Sequence, residues 1–138
     1  MLFTERVPTV EEYSFLCTAV GWQNVMNFEA AHSALPASLY AVVVHDEQGK
    51  IAGMARVVGD GFIYFYIQDV VIHPEFQGQG LGQALLQRVM DWIQGHAPEK
   101  AFIGLFSAQG KEDFYRRFGF ENHEGLTGMF TVQAAQTS

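Results

Sequence analysis

Cysteine is almost missing from this chain of 138 residues: a single Cys17 cannot make an internal disulfide, which excludes a disulfide-stapled scaffold. It lies in an apolar helical pattern with Phe15, Leu16, Ala19 and Val20, which points to a buried structural thiol and a reducing, cytoplasmic setting. Positive charge is scarce as well. Eight Lys and Arg against fifteen Asp and Glu give a net charge of −7, so no general field attracts nucleic acid or anionic lipid, and a cationic ligand is mildly favoured. No apolar run approaches the ~18 residues of a membrane span. Glu5 and Arg6 interrupt the first apolar stretch, so no signal-peptide core is expected either, and the chain is expected to be neither exported nor embedded. The histidines at 32, 45, 73, 96 and 123 show no HxxxH spacing and no Cys/His cluster, so no metal site is expected.

What is present is core material. Apolar residues make up 49% of the chain, enough for one domain over residues 1–138, ordered from Leu2 to about Val132. Leu2 to Val7 is predicted to be a short strand. Thr9-Val10-Glu11-Glu12 has capping-box spacing ahead of a helix with Tyr13, Leu16, Cys17 and Val20 on one face. A second helix is predicted from Asn24 to Ala34, and the loop with Gly21, Trp22 and Gln23 is a place for substrate contacts. Leu39–Val44 and Ile51–Val58, joined by Asp46-Glu47-Gln48-Gly49, form an antiparallel hairpin. Phe62 to Ile72 is a long strand whose near-continuous apolarity predicts a central place, buried on both faces. Apolar positions from Gly80 to Trp92 recur at helical spacing, with Gly95 and Pro98 as stop signals. A strand over Ala101–Phe106 completes a right-handed unit with parallel strands. A short helix over Lys111–Phe118 and two last strands, Phe120–Asn122 and Met129–Val132, follow. The predicted class is α/β (α+β), a mixed sheet with helices on both faces.

The strongest motif is Gln77-Gly78-Gln79-Gly80-Leu81-Gly82, set between the end of the buried strand and the start of an amphipathic helix. Glycines at alternate positions let the backbone approach a ligand closely, and the unpaired amides of the first helical turn then point at it with the helix dipole behind them. Such a loop suits a pyrophosphate. A dinucleotide-binding loop needs Gly-x-Gly-x-x-Gly and a P-loop needs Gly-Lys-Ser/Thr, and neither pattern is here.

With Ile72-His73-Pro74 before it, Gln77-x-x-Gly80-x-Gly82 resembles the signature of the GNAT superfamily of acyl-CoA-dependent N-acyltransferases. Phe114-Tyr115-Arg116-Arg117-Phe118-Gly119-Phe120 is similar to that superfamily's Tyr-x-x-x-Gly-Phe segment. Within it, GMARVVGD, IQDVVIHPEFQGQGLGQALLQ, LFSAQGKEDFYRRFGF and GLTGMF look most like plant and cyanobacterial serotonin (arylalkylamine) N-acetyltransferases, over roughly residues 39 to 130. The resemblance implies a mostly antiparallel central sheet splayed at its central strand. It also implies transfer of an acetyl group from acetyl-CoA to an amine, a small amine, arylalkylamine or polyamine-like acceptor, by direct attack in a ternary complex. A small-molecule amine is then the partner, with no metal, no nucleic acid and no membrane. Homodimers are common in the superfamily, which makes a second copy a candidate partner.

Residue by residue, the resemblance implies that the amides of Gln77, Gly78, Gln79, Gly80, Leu81 and Gly82 hold the coenzyme A pyrophosphate. The strand before them, Val70, Val71 and Ile72, would pair with the pantetheine arm, the Val70 amide facing the thioester carbonyl and the Ile72 amide the arm. Tyr115 matches the family's general acid, a phenol protonated at neutral pH that can deliver a proton to the leaving thiolate; the alternative for a Tyr between two Phe is packing. Asp69, the only carboxylate in the central strand, is expected to bind or deprotonate the incoming ammonium, or to be held by hydrogen bonds. The base stays open between water relayed through Gln68, Asp69, and none. Two departures from the family pattern, Gln68 and Ala108, leave room for a catalytically weak acyl-CoA-binding regulatory module as the alternative function.

Overall fold

The structure is a computed structural model that describes residues 1–136. The chain divides into two compact units, Met1–Leu105 and the segment from Phe106 onward.

In the first unit, Thr9 opens helix α1 (Val10–Ala19) as its spacing predicts. The Thr9 hydroxyl accepts from the Glu12 amide at 3.1 Å and the Glu12 carboxylate accepts from the Thr9 amide at 2.9 Å, which satisfies two donors at the helix start. Tyr13, Leu16 and Cys17 face inward and are buried. Helix α2 (Phe28–Ala34) starts later than the Asn24 expected, because Asn27 caps it by accepting from the Ala30 amide at 2.9 Å.

Five strands form one sheet in chain order: β1 (Leu2–Thr4), β2 (Tyr40–His45), β3 (Ile51–Gly59), β4 (Tyr64–Ile72) and β5 (Phe102–Gly104). All neighbours are antiparallel except β4 and β5, so the sheet is mixed and mostly antiparallel. The hairpin between β2 and β3 turns on Asp46, whose carboxylate accepts from the Gln48 and Lys50 amides at 2.9 Å each. Helix α3 (Leu81–His96) follows β4 and carries the chain back to the parallel β5. Gly95 lies inside α3, and the helix ends at His96, just ahead of Pro98.

Helices cover both sheet faces. Tyr13, Leu16 and Cys17 of α1 pack with Val43, Met54 and Val71, while Trp92 of α3 stacks on Tyr40 and meets Phe65 edge-on at 6.2 Å. Deleting a fully buried side chain such as Leu16 therefore costs about 2–5 kcal/mol.

β4 changes phase along its length. Met54 pairs with Val71 and Arg56 with Gln68, so Ala55 alone faces both Asp69 and Val70, a β-bulge. On its near side Phe65 faces α3, and on its far side Asp69 and Val71 face α1. One inserted residue exchanges the faces, which is how a run with no clean alternation buries side chains against both helical layers. Asp69 takes a φ of +60° there, a left-handed conformation that costs an L-residue about 1 kcal/mol.

In the second unit, helix α4 is limited to Glu112–Arg116, shorter than expected because the amides of Phe118 and Gly119 donate three residues back, to the Tyr115 and Arg116 carbonyls at 2.9 and 3.0 Å, and close the chain in a turn. The last two strands expected, Phe120–Asn122 and Met129–Val132, are not formed among the described residues. Gly119 and Gly125 take left-handed φ in this stretch, and Met129 and Phe130 are exposed.

Candidate active site

β5 covers only the first part of β4, from Tyr64 to Tyr66. Among the described residues, β4 pairs from Ile67 to Ile72 with no strand but β3. Val70, Val71 and Ile72 thus lie on a strand edge that β5 leaves open, the splay expected at the central strand. Val71 is buried, and Val70 and Ile72 are half-buried.

The chain leaves that edge through His73, whose amide donates to the Ala52 carbonyl at 2.8 Å, and a short 3-10 turn at Pro74–Phe76. The Gln77 side-chain amide donates back to the Ile72 carbonyl at 3.3 Å, clasping the loop to the strand end. Gly78 and Gly80 take φ of +81° and +78°, and a Cβ at either would meet nothing within 4 Å. The glycines are therefore required by backbone conformation, with space left open above them. Gly80 is the N-cap of α3 and supplies no side-chain cap, so the first-turn amides around Leu81 and Gly82 keep donor capacity for an anion at the positive end of a 16-residue helix. These residues fit a pyrophosphate.

Asp69 stands beside this edge, 4% exposed. Its Oδ2 accepts from Arg56 Nε at 2.9 Å and from the Tyr13 hydroxyl at 2.8 Å, and Gln68 Nε2 lies 3.4 Å from its Oδ1. Arg56 Nη1 donates in turn to Ser38 Oγ at 2.7 Å. Burial raises the Tyr13 phenol, and the neighbouring Asp69 charge adds to the effect. Burial also pushes the Cys17 thiol up to about 11, so at neutral pH it is a neutral core thiol. Arg56 and Tyr13 were missed in the sequence. The available signal was Arg56 itself, the one charge within the apolar strand IAGMARVV, which a buried strand tolerates only with a partner.

In the second unit, Tyr115 lies on α4, with its ring edge-on to Phe114 at 5.0 Å and to Phe120 at 6.4 Å. Burial raises its phenol above the ordinary value, and its hydroxyl makes no hydrogen bond among the described residues. Of the two arginines beside it, Arg116 is taken up by Asp113 at 2.6 Å and Arg117 lies 5.4 Å over the Phe114 ring. The Ser107 hydroxyl donates to the Ala108 carbonyl at 2.8 Å.

Against α1 and α2, a groove of about 510 Å³ is lined by Phe15, Phe28, Ser14, Glu11, Glu29 and His32, with Val10 at its edge. Among the described residues no group of three or more His, Cys, Asp or Glu is placed to hold a metal ion, and no helix is long and apolar enough to cross a membrane.

The family described as the acetyltransferase (GNAT) domain matches residues 10–130, a span that runs through both units. The chain belongs to the GNAT acetyltransferase family. It is 33% identical over 124 residues to an uncharacterized N-acetyltransferase, ycf52, of Porphyra purpurea, covering 86% of this chain and 69% of that one. It is 34% identical over 131 residues to a histone acetyltransferase, TAP1, of Glycine max, covering 88% of this chain and 56% of that one. The chain thus spans little more than half the length of this second relative. Among solved structures, a probable acetyltransferase of unknown function from Staphylococcus aureus superposes with a TM-score of 0.86 at 29% identity, covering 96% of this chain and 98% of that one. The mixed α/β GNAT fold and an acetyltransferase domain are thereby established.

Proposed function

We propose that this acetyltransferase takes its acetyl group from acetyl-CoA and passes it to the amine of a small cationic acceptor by direct attack in a ternary complex. The observation that carries the reading is the open edge of β4 from Ile67 to Ile72 leading into the uncapped start of α3 through two left-handed glycines. An extended pantetheine arm suits the edge as an added strand, and a pyrophosphate suits the amides of Gln77, Gly78, Gln79, Gly80, Leu81 and Gly82.

In this reading the neutral amine attacks the thioester carbonyl, the new C–N bond forms, and the Val70 amide donates to the oxyanion. The C–S bond then breaks and the thiolate takes the Tyr115 proton, while the amine's surplus proton leaves to water. A phenol raised by burial remains protonated at neutral pH, as the role requires. Asp69 has both donors of its Oδ2 in place and contributes through the bulge it occupies.

Charge supports a cationic acceptor. Glu11 and Glu29 line the groove with Phe15 and Phe28, neither carboxylate is in an ion pair with a described residue, and the chain carries −7 overall. An ammonium linked to an apolar or aromatic body, as in an arylalkylamine, matches that lining. Initial rates measured against both substrates test the mechanism: intersecting double-reciprocal lines are expected, and parallel lines, the mark of an acetylated enzyme, would overturn direct attack. A screen in which only carboxylate-rich amines turned over would overturn the acceptor class.

A further inference from the structure

Bulges of the kind between β3 and β4 usually carry glycine at the residue that turns left-handed. Here Asp69 takes that place, at φ +60°. Its side chain is 1% exposed, and the Arg56 side chain that holds it is 9% exposed. Arg56 grips Asp69 through Nε at 2.9 Å and reaches out through Nη1 to Ser38 Oγ at 2.7 Å, just before β2, and towards the Ala34 carbonyl at the end of α2, 3.5 Å away. Tyr13 of α1 donates to the same Asp69 oxygen at 2.8 Å, and its ring lies 5.7 Å from the guanidinium. One planar cation thus ties the bulge of β4 to β3, to α1 and to the segment between α2 and β2. The bulge fixes the phase of everything after it in β4, because losing the extra residue would exchange which amides point at β3 and which point at the open edge.

We propose that Arg56 is a positioning residue for acetyl transfer: by holding Asp69 it locks the bulge, and so aims the Val70 amide at the open edge, with Tyr13 and Ser38 keeping the pair in place. The inference rests on the function proposed above, in which that amide is the oxyanion donor. It assigns Asp69 a geometric role, since its Oδ2 already accepts from two donors and its left-handed backbone sets the direction of the next N–H.

The test compares Arg56→Met, Arg56→Lys, Ser38→Ala and Asp69→Gly with the wild type. A donor displaced by about 1 Å loses on the order of 10²-fold in rate, so Arg56→Met is expected to lower kcat by about that factor, while KM for acetyl-CoA rises by no more than about tenfold, because the pyrophosphate loop is untouched and only the pantetheine edge of β4 shifts. Arg56→Lys, a point charge that cannot reach Asp69 and Ser38 together, is expected to recover about tenfold of that loss. Ser38→Ala leaves the ion pair intact and carries the test if Arg56→Met does not fold; about a threefold fall in kcat is expected, roughly half of a hydrogen bond's worth in a supported network. Asp69→Gly suits the left-handed backbone, and its pH–rate profile is expected to keep its shape at reduced height. In 15N-labelled protein, Ser38→Ala and Arg56→Lys are expected to shift the Val70 amide resonance and speed its hydrogen exchange. Wild-type kcat in folded Arg56→Met or Ser38→Ala, an unmoved Val70 amide, or an ionisation lost from the Asp69→Gly profile would each overturn the proposal. Should the wild type acetylate no amine, the acetyl-transfer reading falls by itself, and the Val70 resonance still decides whether Arg56 sets the bulge.

Discussion

Gly80→Ala separates a glycine needed for folding from one needed for a ligand. Gly80 and Gly49 have nearly the same left-handed φ, +78° and +82°, and at both an added Cβ would meet nothing within 4 Å. An Ala at either site therefore suffers no clash in the protein and only the left-handed penalty, a net destabilisation of about 1 kcal/mol. For a chain of this size that lowers the melting temperature by about 4 °C in both variants. Their surroundings differ. Gly49 lies in the hairpin turn between β2 and β3, whereas Gly80 is the N-cap of α3 with the uncapped amides beyond it. If those amides hold a pyrophosphate, a methyl group at the N-cap stands in the approach, and acetyl-CoA affinity should fall at least about tenfold, or about 1.4 kcal/mol. Gly80→Glu, which adds a negative charge at the positive end of the helix, should abolish binding. Titration calorimetry on Gly80→Ala, Gly80→Glu and Gly49→Ala at matched temperature reads the difference. The reasoning fails if folded Gly80→Ala and Gly80→Glu bind acetyl-CoA within about twofold of the wild type, or if Gly49→Ala loses affinity to the same extent.

Tyr115→Phe keeps the ring against Phe114 and Phe120 and removes only the hydroxyl that carries the proton, so turnover should drop ~10²- to 10⁴-fold with coenzyme affinity retained; full turnover across the pH range would return Tyr115 to a packing role. The Glu12 carboxyl is held at about 2 against an ordinary 4.5: burial opposes this and is outweighed by hydrogen bonds from the Arg6 guanidinium, the Thr9 amide and His45. A carboxyl depressed in the folded state contributes stability that is present above about pH 4.5 and is lost as pH falls towards 2. With Arg6 40% exposed, solvent screening trims the contribution to about 2 kcal/mol. Denaturant unfolding across that acid range should show the loss in the wild type and little of it in Glu12→Gln; parallel acid profiles for the two would contradict the assignment.

Local chemistry makes much of the fold legible in the sequence. The Thr9 capping box, the Asp46 turn and the 3.6-residue pattern of α3 are decided by neighbours in sequence, and each appears where the residues place it. The left-handed glycines at 78 and 80 were legible for the same reason, since few backbones other than such a loop need them. What stayed hidden depends on pairs distant in the chain. Asp69 stood out as a buried carboxylate in an apolar strand, but Arg56 and Tyr13 are 13 and 56 residues away, and the bulge that gathers them exists only once β3 and β4 are in register. The phase change of β4 was concealed likewise, because an apolar run without alternation reads the same whether one helical layer covers it or two. The strands expected after Phe118 rested on short β-branched and aromatic runs, which carry no strand without a paired neighbour.

The central claim is tested most directly by one measurement on the wild-type protein: acetyl-CoA is mixed with an arylalkylamine, and free thiol and N-acetylated amine are quantified in the same sample. The account predicts that both appear in equal amounts, only when chain, acetyl-CoA and amine are all present. Thiol released without acetylated amine, or no product from arylalkylamine and polyamine acceptors alike while acetyl-CoA is bound, would contradict it.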